Sequence, residues 1–198
     1  MKPGDKFEFK GYEWITLTSD EETVTAMMAE PWVIESFDDD NSNNWEKSSI
    51  RKKIYDELLP ELGAENLLTH STDLVADNGD KSYGRVDDRI WLISCDEFRR
   101  YRDIILANYN FADDWLWTVT PWYINHDERA PYPGNGNTVR SVSPTGQISS
   151  HYAHGSYGVA PACIFHRASL NSASTDAQKE DSSEGKAFKD VLQAFTDV

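Results

Sequence analysis

Residues 138–165, TVRSVSPTGQISSHYAHGSYGVAPACIF, decide how the fold is interpreted. They predict a β-hairpin that turns at Pro144-Thr145-Gly146, followed by a closing strand over residues 159–165. Three of the five histidines in the chain fall in this stretch or directly after it: His151, His154 and His166. Two interpretations are open, namely a metal or catalytic site, and the last strand and recognition loop of a binding domain. We favour the second.

Composition and charge restrict the class of function. The chain of 198 residues is 39% hydrophobic and 12% aromatic, which is typical of a globular protein rich in contact-forming side chains. With 34 acidic and 19 basic residues, its formal net charge is −15. Phosphate contacts require clusters of Lys and Arg, so this charge argues against direct binding to nucleic acid or to an anionic membrane. It permits a basic protein partner, although solvated surface loops explain it equally well.

The sequence pattern predicts neither a secretory signal nor a membrane span. The opening residues, MKPGDKFEFKGYEWITL, contain no apolar run of signal-peptide length, and no segment has the roughly 20 apolar residues of a membrane span. We therefore expect a cytoplasmic protein without a membrane partner. Cys95 and Cys163 lie far apart and suggest no disulfide framework.

Alternating apolar and polar residues predict several strands. Residues 6–20 predict a strand pair with its turn near Lys10-Gly11, and residues 22–37 predict further β structure that Pro31 interrupts. Residues 115–119, WLWTV, alternate in the same way.

Two helices are predicted. The first begins at Ser48 or Ser49, a residue type that caps helices; Pro60 should end or kink it, and Gly63 should close it. Its apolar residues recur at helical spacing: Ile50, Ile54, Leu58 and Leu62. The second follows a buried strand and opens at Ser94 with Glu97 three residues on, which is the pattern of a capping box.

The composition changes after Arg167. We assign residues 1–167 to one α+β domain. Residues 168–185 are small, polar and acidic, which is typical of a flexible linker. Residues 186–198 predict a short C-terminal helix with one apolar stripe.

Four motifs follow one another between residues 43 and 165: NNWEKSSIRKKIYDELL, DRIWLISCDEFRRY, WLWTVTPW and GQISSHYAHGSYGVAPACIF. Together they resemble a large, uncharacterised family of domains from gut bacteria and their phages. Its members carry patterns like NNWEKSSIRKWLN, IFLLSxxE, WWLRSP and GxISxxxxxxxYGVRPAL. With EWITL near the N-terminus, the resemblance covers about four-fifths of the chain.

The resemblance implies a C-type-lectin-like fold, with a twisted antiparallel sheet, two helices and long loops, related to that of the formylglycine-generating enzyme. It implies ligand binding on the loops and the exposed sheet face, and a virion-associated location as an alternative to the cytoplasm. Val119 and Ala160 stand where the family pattern has arginines. An ion pair or anion site that those arginines form in relatives would be missing from this chain.

Oxidases of the related fold use a cysteine pair, so Cys95 and Cys163 were candidates for a copper or redox site. Both positions are predicted to face inward on strands, and a buried free cysteine behaves as a small hydrophobic residue. We therefore predict that the protein is not an enzyme.

No metal, cofactor or catalytic residue is predicted. His151 and His154 are only two of the three or four placed ligands that zinc needs, and the chain has neither HExxH nor CxxC. Asn43 and Ser49 occupy the positions that a calcium-binding EF-hand gives to Gly and Glu. No GxSxG elbow is present. The alternating oxygen-bearing side chains that suggested calcium are Asp38, Asp40, Ser42 and Asn44.

Recognition is the leading function. The segment WLWTVTPWYINHDERAPYPGNGN is aromatic and rich in Gly and Asn, and Tyr and Trp supply rigid contact area at low entropic cost. With residues 151–157 it is predicted to form one continuous patch that binds a protein or glycan surface. The predicted ligand-binding residues are Trp122, Tyr123, Tyr132, His151, Tyr152, His154 and Tyr157.

A second hypothesis is a small, acidic cytoplasmic inhibitor that docks on a basic, nucleic-acid-binding defence protein of the host, as phage counter-defence proteins do. The net charge of −15 favours it. Binding that weakens steeply with salt would distinguish it from recognition by aromatic side chains.

Overall fold

A computed structural model of the protein describes residues 1–112, 114–124 and 135–171. Within these ranges the chain is a mixed α+β protein, mostly strands with a few short helices, so the predicted α+β class is confirmed. The strands are β1 (Lys6–Phe9), β2 (Tyr12–Ser19), β3 (Thr23–Met28), β4 (Val33–Ser36), β5 (Leu67–Leu68), β6 (His70–Asp73), β7 (Arg85–Asp88), β8 (Ile90–Leu92), β9 (Leu116–Pro121), β10 (Thr138–Val142), β11 (Ile148–Tyr152), β12 (Ser156–Val159) and β13 (Pro161–His166). The helices are α1 (Ser49–Lys53), a π-helical turn (Ile54–Leu58), α2 (Leu59–Leu62) and α3 (Cys95–Asn108), with 3-10 turns at Trp45–Lys47, Ala64–Asn66 and Asn135–Asn137.

Six strands form the larger sheet, in the order β1-β2-β3-β13-β5, with β8 also paired to β13. The β1–β2 hairpin turns at Lys10 and Gly11, whose φ angles are 54° and 78°. Two successive residues with positive φ are what a type I′ hairpin turn requires, and Gly11 meets that requirement without strain. β13 pairs antiparallel with β3, from Ala162 opposite Met27 to His166 opposite Thr23, so the last strand of the domain lies beside its third strand.

The second sheet has the order β11-β10-β9-β12-β4 and contains one parallel pair, β9 with β12. β6 and β7 form a separate ribbon. The predicted closing strand over residues 159–165 is confirmed for residues 161–165, which lie in β13, but its predicted start at Val159 is wrong. β12 ends at Val159 in the second sheet, and β13 begins at Pro161 in the first. Proline has no N–H for the ladder and is tolerated as the first residue of a strand, which fits a change of sheet at Ala160.

The first helix passes Pro60 instead of ending there. The π-helical turn precedes the proline, and there the Leu59 N–H donates to the Ile54 carbonyl. Pro60 is the second residue of α2 and has no N–H to give to the ladder, so the helix changes its hydrogen-bond pattern at this point. The helix ends at Gly63, whose φ is 76°. The four apolar residues predicted for its inner face are all buried: Ile50, Ile54, Leu58 and Leu62.

The predicted capping box of α3 is confirmed. Ser94 Oγ accepts from the Glu97 N–H at 3.1 Å, and Glu97 Oε2 accepts from the Ser94 N–H at 2.7 Å.

In the larger sheet, the Phe165 ring packs within 5.8 Å of three aromatic rings, those of Phe7, Phe9 and Trp14.

The last described segment, residues 167–171, is helical, and Leu170 in it is buried. The rest of the predicted linker and the predicted terminal helix lie outside the described residues. Across the ranges that the structure describes, no helix combines the length and the apolar character needed to cross a bilayer.

Candidate functional site

Strand alternation divides the predicted recognition residues between two faces of the five-stranded sheet. On β11, His151 lies opposite Val139 and Tyr152 lies opposite Thr138. Successive side chains on a strand point to opposite faces, so His151 and Tyr152 belong to different surfaces. The predicted residues therefore form two groups instead of one continuous patch. Tyr132 lies outside the described residues.

The first group consists of Trp122, Arg140, Tyr152 and His154, which we call the aromatic surface; its rings are exposed, and the Arg140 side chain is 19% exposed. Trp122 is 39% exposed and Tyr152 is 60% exposed. The rings of Tyr152 and His154 are parallel to within 4°, with centres 5.7 Å apart. The Arg140 guanidinium lies 5.8 Å from the centre of the Trp122 ring and donates to Ser150 Oγ at 2.6 Å. Cation, indole and phenol therefore share one side of the sheet, and Tyr123 lies half-buried beside them.

The turn that carries Tyr152 and His154 is fixed by hydrogen bonds from the surrounding chain. The buried Ala153 donates its N–H to the Asn137 carbonyl at 2.8 Å and accepts from the N–H groups of residues 37 and 38 at 2.8 and 3.1 Å. The His154 N–H donates to Asn41 Oδ1 at 3.2 Å. Because this backbone is already ordered, binding through the two rings would cost little further conformational entropy.

The second group is a histidine cluster made of the half-buried His151, Trp115 and Tyr157 and the fully buried Trp117 and Ser141. The centre of the His151 ring lies 4.8 Å from that of Trp115 and 4.4 Å from that of Tyr157. Its Nδ1 lies 2.6 Å from Ser141 Oγ. Ser141 is fully buried, so its hydroxyl cannot reach a substrate, and the pair is explained by packing.

Two opposing effects act on the His151 imidazole. Burial among the aromatic rings lowers its pKa, because the charged form loses hydration. The carboxylate of Asp114 acts in the opposite direction and raises the pKa, but burial is the larger effect.

Asn43 is a site-positioning residue that the sequence did not identify. Its fully buried side chain donates to the carbonyl of Tyr123 at 2.8 Å and to that of Thr138 at 3.1 Å, and accepts from the Tyr83 hydroxyl at 2.8 Å. Tyr123 adjoins Trp122, and Thr138 lies opposite Tyr152. One amide thus fixes the backbone beneath both exposed rings. In the sequence, the position of Asn43 in the NNWEKSSIR motif was the signal that could have indicated this role.

Several other side chains of that motif donate hydrogen bonds to one buried carboxylate, that of Asp88. Asp88 is fully buried and accepts from Trp45 Nε1 at 2.7 Å, from Arg51 Nε at 2.9 Å and from the Tyr55 hydroxyl at 2.9 Å. Burial, with the Asp88 charge as a smaller contribution, raises the pKa of Tyr55 to about 12. A charge so fully paired is a structural centre that holds the first helix to β7.

Both cysteines are buried and neither forms a disulfide. Cys163 lies on β13, as expected, but Cys95 is the first residue of α3 and not part of a strand. Burial raises the pKa of both thiols, which makes each a weaker nucleophile at neutral pH.

The oxygen-rich loop at residues 38–44 uses its side chains on its own backbone. Asp38 is buried and accepts from the N–H groups of Ser42 and Ser49 at 2.8 and 3.0 Å, and Asn44 Oδ1 accepts from the Glu46 N–H at 3.0 Å. Within the described ranges, no three His, Cys, Asp or Glu side chains are grouped so that they could hold a metal ion.

The two positions at which this chain has an apolar residue and the pattern that it resembles has arginine both lie in the core. Val119 and Ala160 are 0% and 1% exposed. An arginine at either position would bury its charge, and apolar residues avoid that desolvation cost.

Comparisons with known proteins found no relative: no family model, no curated protein and no solved structure matches the chain.

Proposed function

We propose that the protein is a non-catalytic recognition module that binds a protein or glycan surface through the aromatic surface. One observation carries the proposal, namely that Tyr152 is 60% exposed and stacked on His154 on a turn fixed by hydrogen bonds. Exposed Trp and Tyr side chains that are held rigidly are typical of the residues that dominate binding energy.

We further propose a C-type-lectin-like scaffold for this surface. The four ordered motifs support it, and so does the pairing of β13, the last strand, with the N-terminal strand β3. On this proposal, the aromatic surface corresponds to the loops and exposed sheet face through which such domains usually bind. This likeness of fold is an analogy, and the function depends on the side chains themselves.

The first experiment uses the full chain as bait against a glycan array and against host lysate. Trp122→Ala and Tyr152→Ala are compared with Ile34→Ala, which removes a hydrophobic side chain that is 54% exposed on β4, the opposite edge of the same sheet. We expect a ligand that the wild type and Ile34→Ala retain, and that the two aromatic variants bind about tenfold more weakly or not at all. A ligand retained equally by all four chains would contradict the proposal.

A second candidate, the acidic inhibitor that docks on a basic protein, is favoured by charge close to this surface. Asp39 and Asp40 are exposed and directly precede Asn41, whose side chain contacts the His154 backbone. Salt separates the two candidates. Electrostatic docking should weaken steeply when the salt concentration rises tenfold, from about 50 mM to about 500 mM, because the screening length then falls to a few Å. The double variant Asp39→Asn with Asp40→Asn should weaken it too. Aromatic contacts should persist under both changes.

A further inference from the structure

The strand β11 (Ile148–Tyr152) forms one edge of the five-stranded sheet. Hydrogen bonds at the two ends of its pairing with β10 show which backbone groups face the partner. The Ser143 N–H donates to the Gln147 carbonyl at 2.9 Å, and the Ala153 N–H donates to the Asn137 carbonyl at 2.8 Å. Both bonded pairs join odd-numbered residues, and bonded and non-bonded pairs alternate along an antiparallel ladder. The even-numbered residues of β11 therefore turn their N–H and C=O groups away from β10.

These outward groups form a regular row. They are the N–H groups of Ile148, Ser150 and Tyr152 and the carbonyls of Ile148 and Ser150, and none of them is bonded to another described residue. The row repeats at every second residue, which is about 7 Å along a strand. An extended polypeptide presents donors and acceptors at the same spacing, so the addition of a further strand would satisfy this edge.

The sequence of β11, ISSHY, contains none of the usual features that protect a sheet edge. Such edges are commonly blocked by charged side chains, by proline or by a bulge. Lys6 and Glu8 lie in β1, Glu35 lies in β4, and β6 and β7 contain acidic residues. Among the described strands of four or more residues that end a sheet, β11 alone has no Asp, Glu, Lys, Arg or Pro, and its pairing with β10 is regular over all five residues.

This free edge adjoins the aromatic surface. Ser150 and Tyr152 point their side chains to that face of the sheet, where Ser150 Oγ accepts from Arg140. Arg140 is also paired with Asp77, so its charge is neutralised within the protein. A strand added to β11 would place alternate side chains beside the Tyr152 ring, which is 60% exposed. Main-chain hydrogen bonds would then supply affinity, and the ring would supply selectivity.

The charges around the edge favour a basic occupant. Asp39 and Asp40 are exposed and lie directly before the side chain that bonds the His154 N–H. On the other face of β11, the Asp114 carboxylate acts on the His151 imidazole, against the larger effect of burial on its pKa. A second copy of this chain would bring another net charge of −15 to the edge, which disfavours self-association.

We propose that the aromatic surface binds its partner by strand addition, in which an extended, positively charged segment of another protein pairs with the free edge of β11. This inference rests on the proposed function, and it names a polypeptide as the ligand. Ser150 donates and accepts main-chain hydrogen bonds to the added strand, and the Tyr152 N–H donates one. The Tyr152 ring packs against the side chains of that strand.

A random library of displayed short peptides, with the full chain as bait, supplies the probe. We expect the selected peptides to be enriched in Lys and Arg and in β-branched residues. The strongest of them is synthesised and used in amide hydrogen exchange measured by NMR. In the free chain, the amides of Ser150 and Tyr152 should exchange faster than those of Ser149 and His151, which face β10. Saturating peptide should slow exchange at Ser150 and Tyr152 about tenfold or more.

Methylation of the peptide backbone tests the main-chain bonds without altering the protein. N-methyl groups on every second amide, in the frame that faces β11, should weaken binding about tenfold or more, whereas methylation in the other frame should leave it within about threefold.

A proline variant tests the same bonds from the side of the protein. Ser150→Pro removes an outward N–H and breaks no bond to β10, and edge strands tolerate proline at such positions. It should weaken binding about tenfold or more. Ser150→Ala, the matched control, keeps the N–H and removes only the hydroxyl, and it should change binding by no more than about threefold. If Ser150→Pro does not fold, the comparison of the two methylation frames decides.

The proposal is overturned if no peptide is selected, if the selected peptides have no excess of Lys and Arg, or if exchange at Ser150 and Tyr152 stays unchanged on binding. Slowed exchange that depends on the concentration of the chain alone would assign the edge to a second copy instead. A glycan that binds the aromatic surface and leaves these amides unprotected would contradict strand addition but not the proposed function. Full binding by Trp122→Ala and Tyr152→Ala, with the edge still protected, would support strand addition and contradict the aromatic contacts of the proposed function.

Discussion

The two faces of the five-stranded sheet use the same residue types for different purposes. Tyr152 and Trp122 stand exposed on one face, while His151, Trp117 and Tyr157 pack against one another on the other. His151 and Tyr152 are neighbours in sequence, yet one ring is packed among aromatics and the other is 60% exposed. Composition identified the aromatic stretch, but only the strand register separates contact residues from packing residues.

The largest expected difference between the faces is in stability. Trp117 is fully buried and donates from Nε1 to the Glu35 carbonyl at 3.0 Å, so Trp117→Ala should lower the free energy of unfolding by about 3–5 kcal/mol. Trp122→Ala, the same substitution on the exposed face, should cost less than about 1 kcal/mol. Urea denaturation of both variants measures the difference. Equal losses would mean that the division between the faces is wrong.

A smaller loss is expected where one residue supports the exposed face from beneath. Asn43→Ala removes the amide that donates to the carbonyls of Tyr123 and Thr138, of which Thr138 keeps the Trp122 N–H at 2.9 Å, and should cost about 2–3 kcal/mol. Asn44→Ala, one residue on, removes only the cap of a short 3-10 turn and should cost about 1 kcal/mol. Thermal and urea unfolding of the pair compare them. If Asn43→Ala unfolds no earlier than Asn44→Ala, then Asn43 does not position the site.

Features fixed by neighbouring residues could be predicted from the sequence, and features fixed by distant residues could not. The Lys10-Gly11 turn and the Ser94–Glu97 capping box were predicted because each is fixed by groups within a few residues. The partners of the Asn43 amide lie 80 and 95 residues away, and no local pattern reports them. The change of sheet at Ala160 and the division of His151 from Tyr152 depend on which strands lie alongside, which is also long-range information.

The histidine cluster makes a modest contribution to the free energy of unfolding, and this contribution depends on pH. Because burial lowers the pKa of His151, the folded chain binds fewer protons than the unfolded chain just below the ordinary value of 6.5. The stabilising contribution of the neutral imidazole is complete above that pH and is lost as pH falls. Urea denaturation at pH 7.5 and pH 5.5 should show a smaller drop in stability for His151→Gln than for the wild type.

The control for this prediction is His154→Gln. Its side chain is exposed, so this variant should keep the wild-type drop in stability between the two pH values. If His151→Gln also keeps the full drop, the imidazole is not the group responsible.

The smallest expected effect on stability is at the proposed contact itself. Tyr152→Ala removes a side chain that is 60% exposed, and it should change the free energy of unfolding by no more than about 0.5 kcal/mol. Circular dichroism and urea denaturation check this. A loss above about 2 kcal/mol would show that Tyr152 supports the fold and is not free for a partner.

The dissociation constant of the captured ligand, measured for variants of both faces, tests the central claim most directly. We expect Trp122→Ala and Tyr152→Ala to raise it about tenfold or more, while His151→Gln and Ile34→Ala leave it within about twofold. Weakening by His151→Gln as large as that by Tyr152→Ala, or no change in either aromatic variant, would contradict the account.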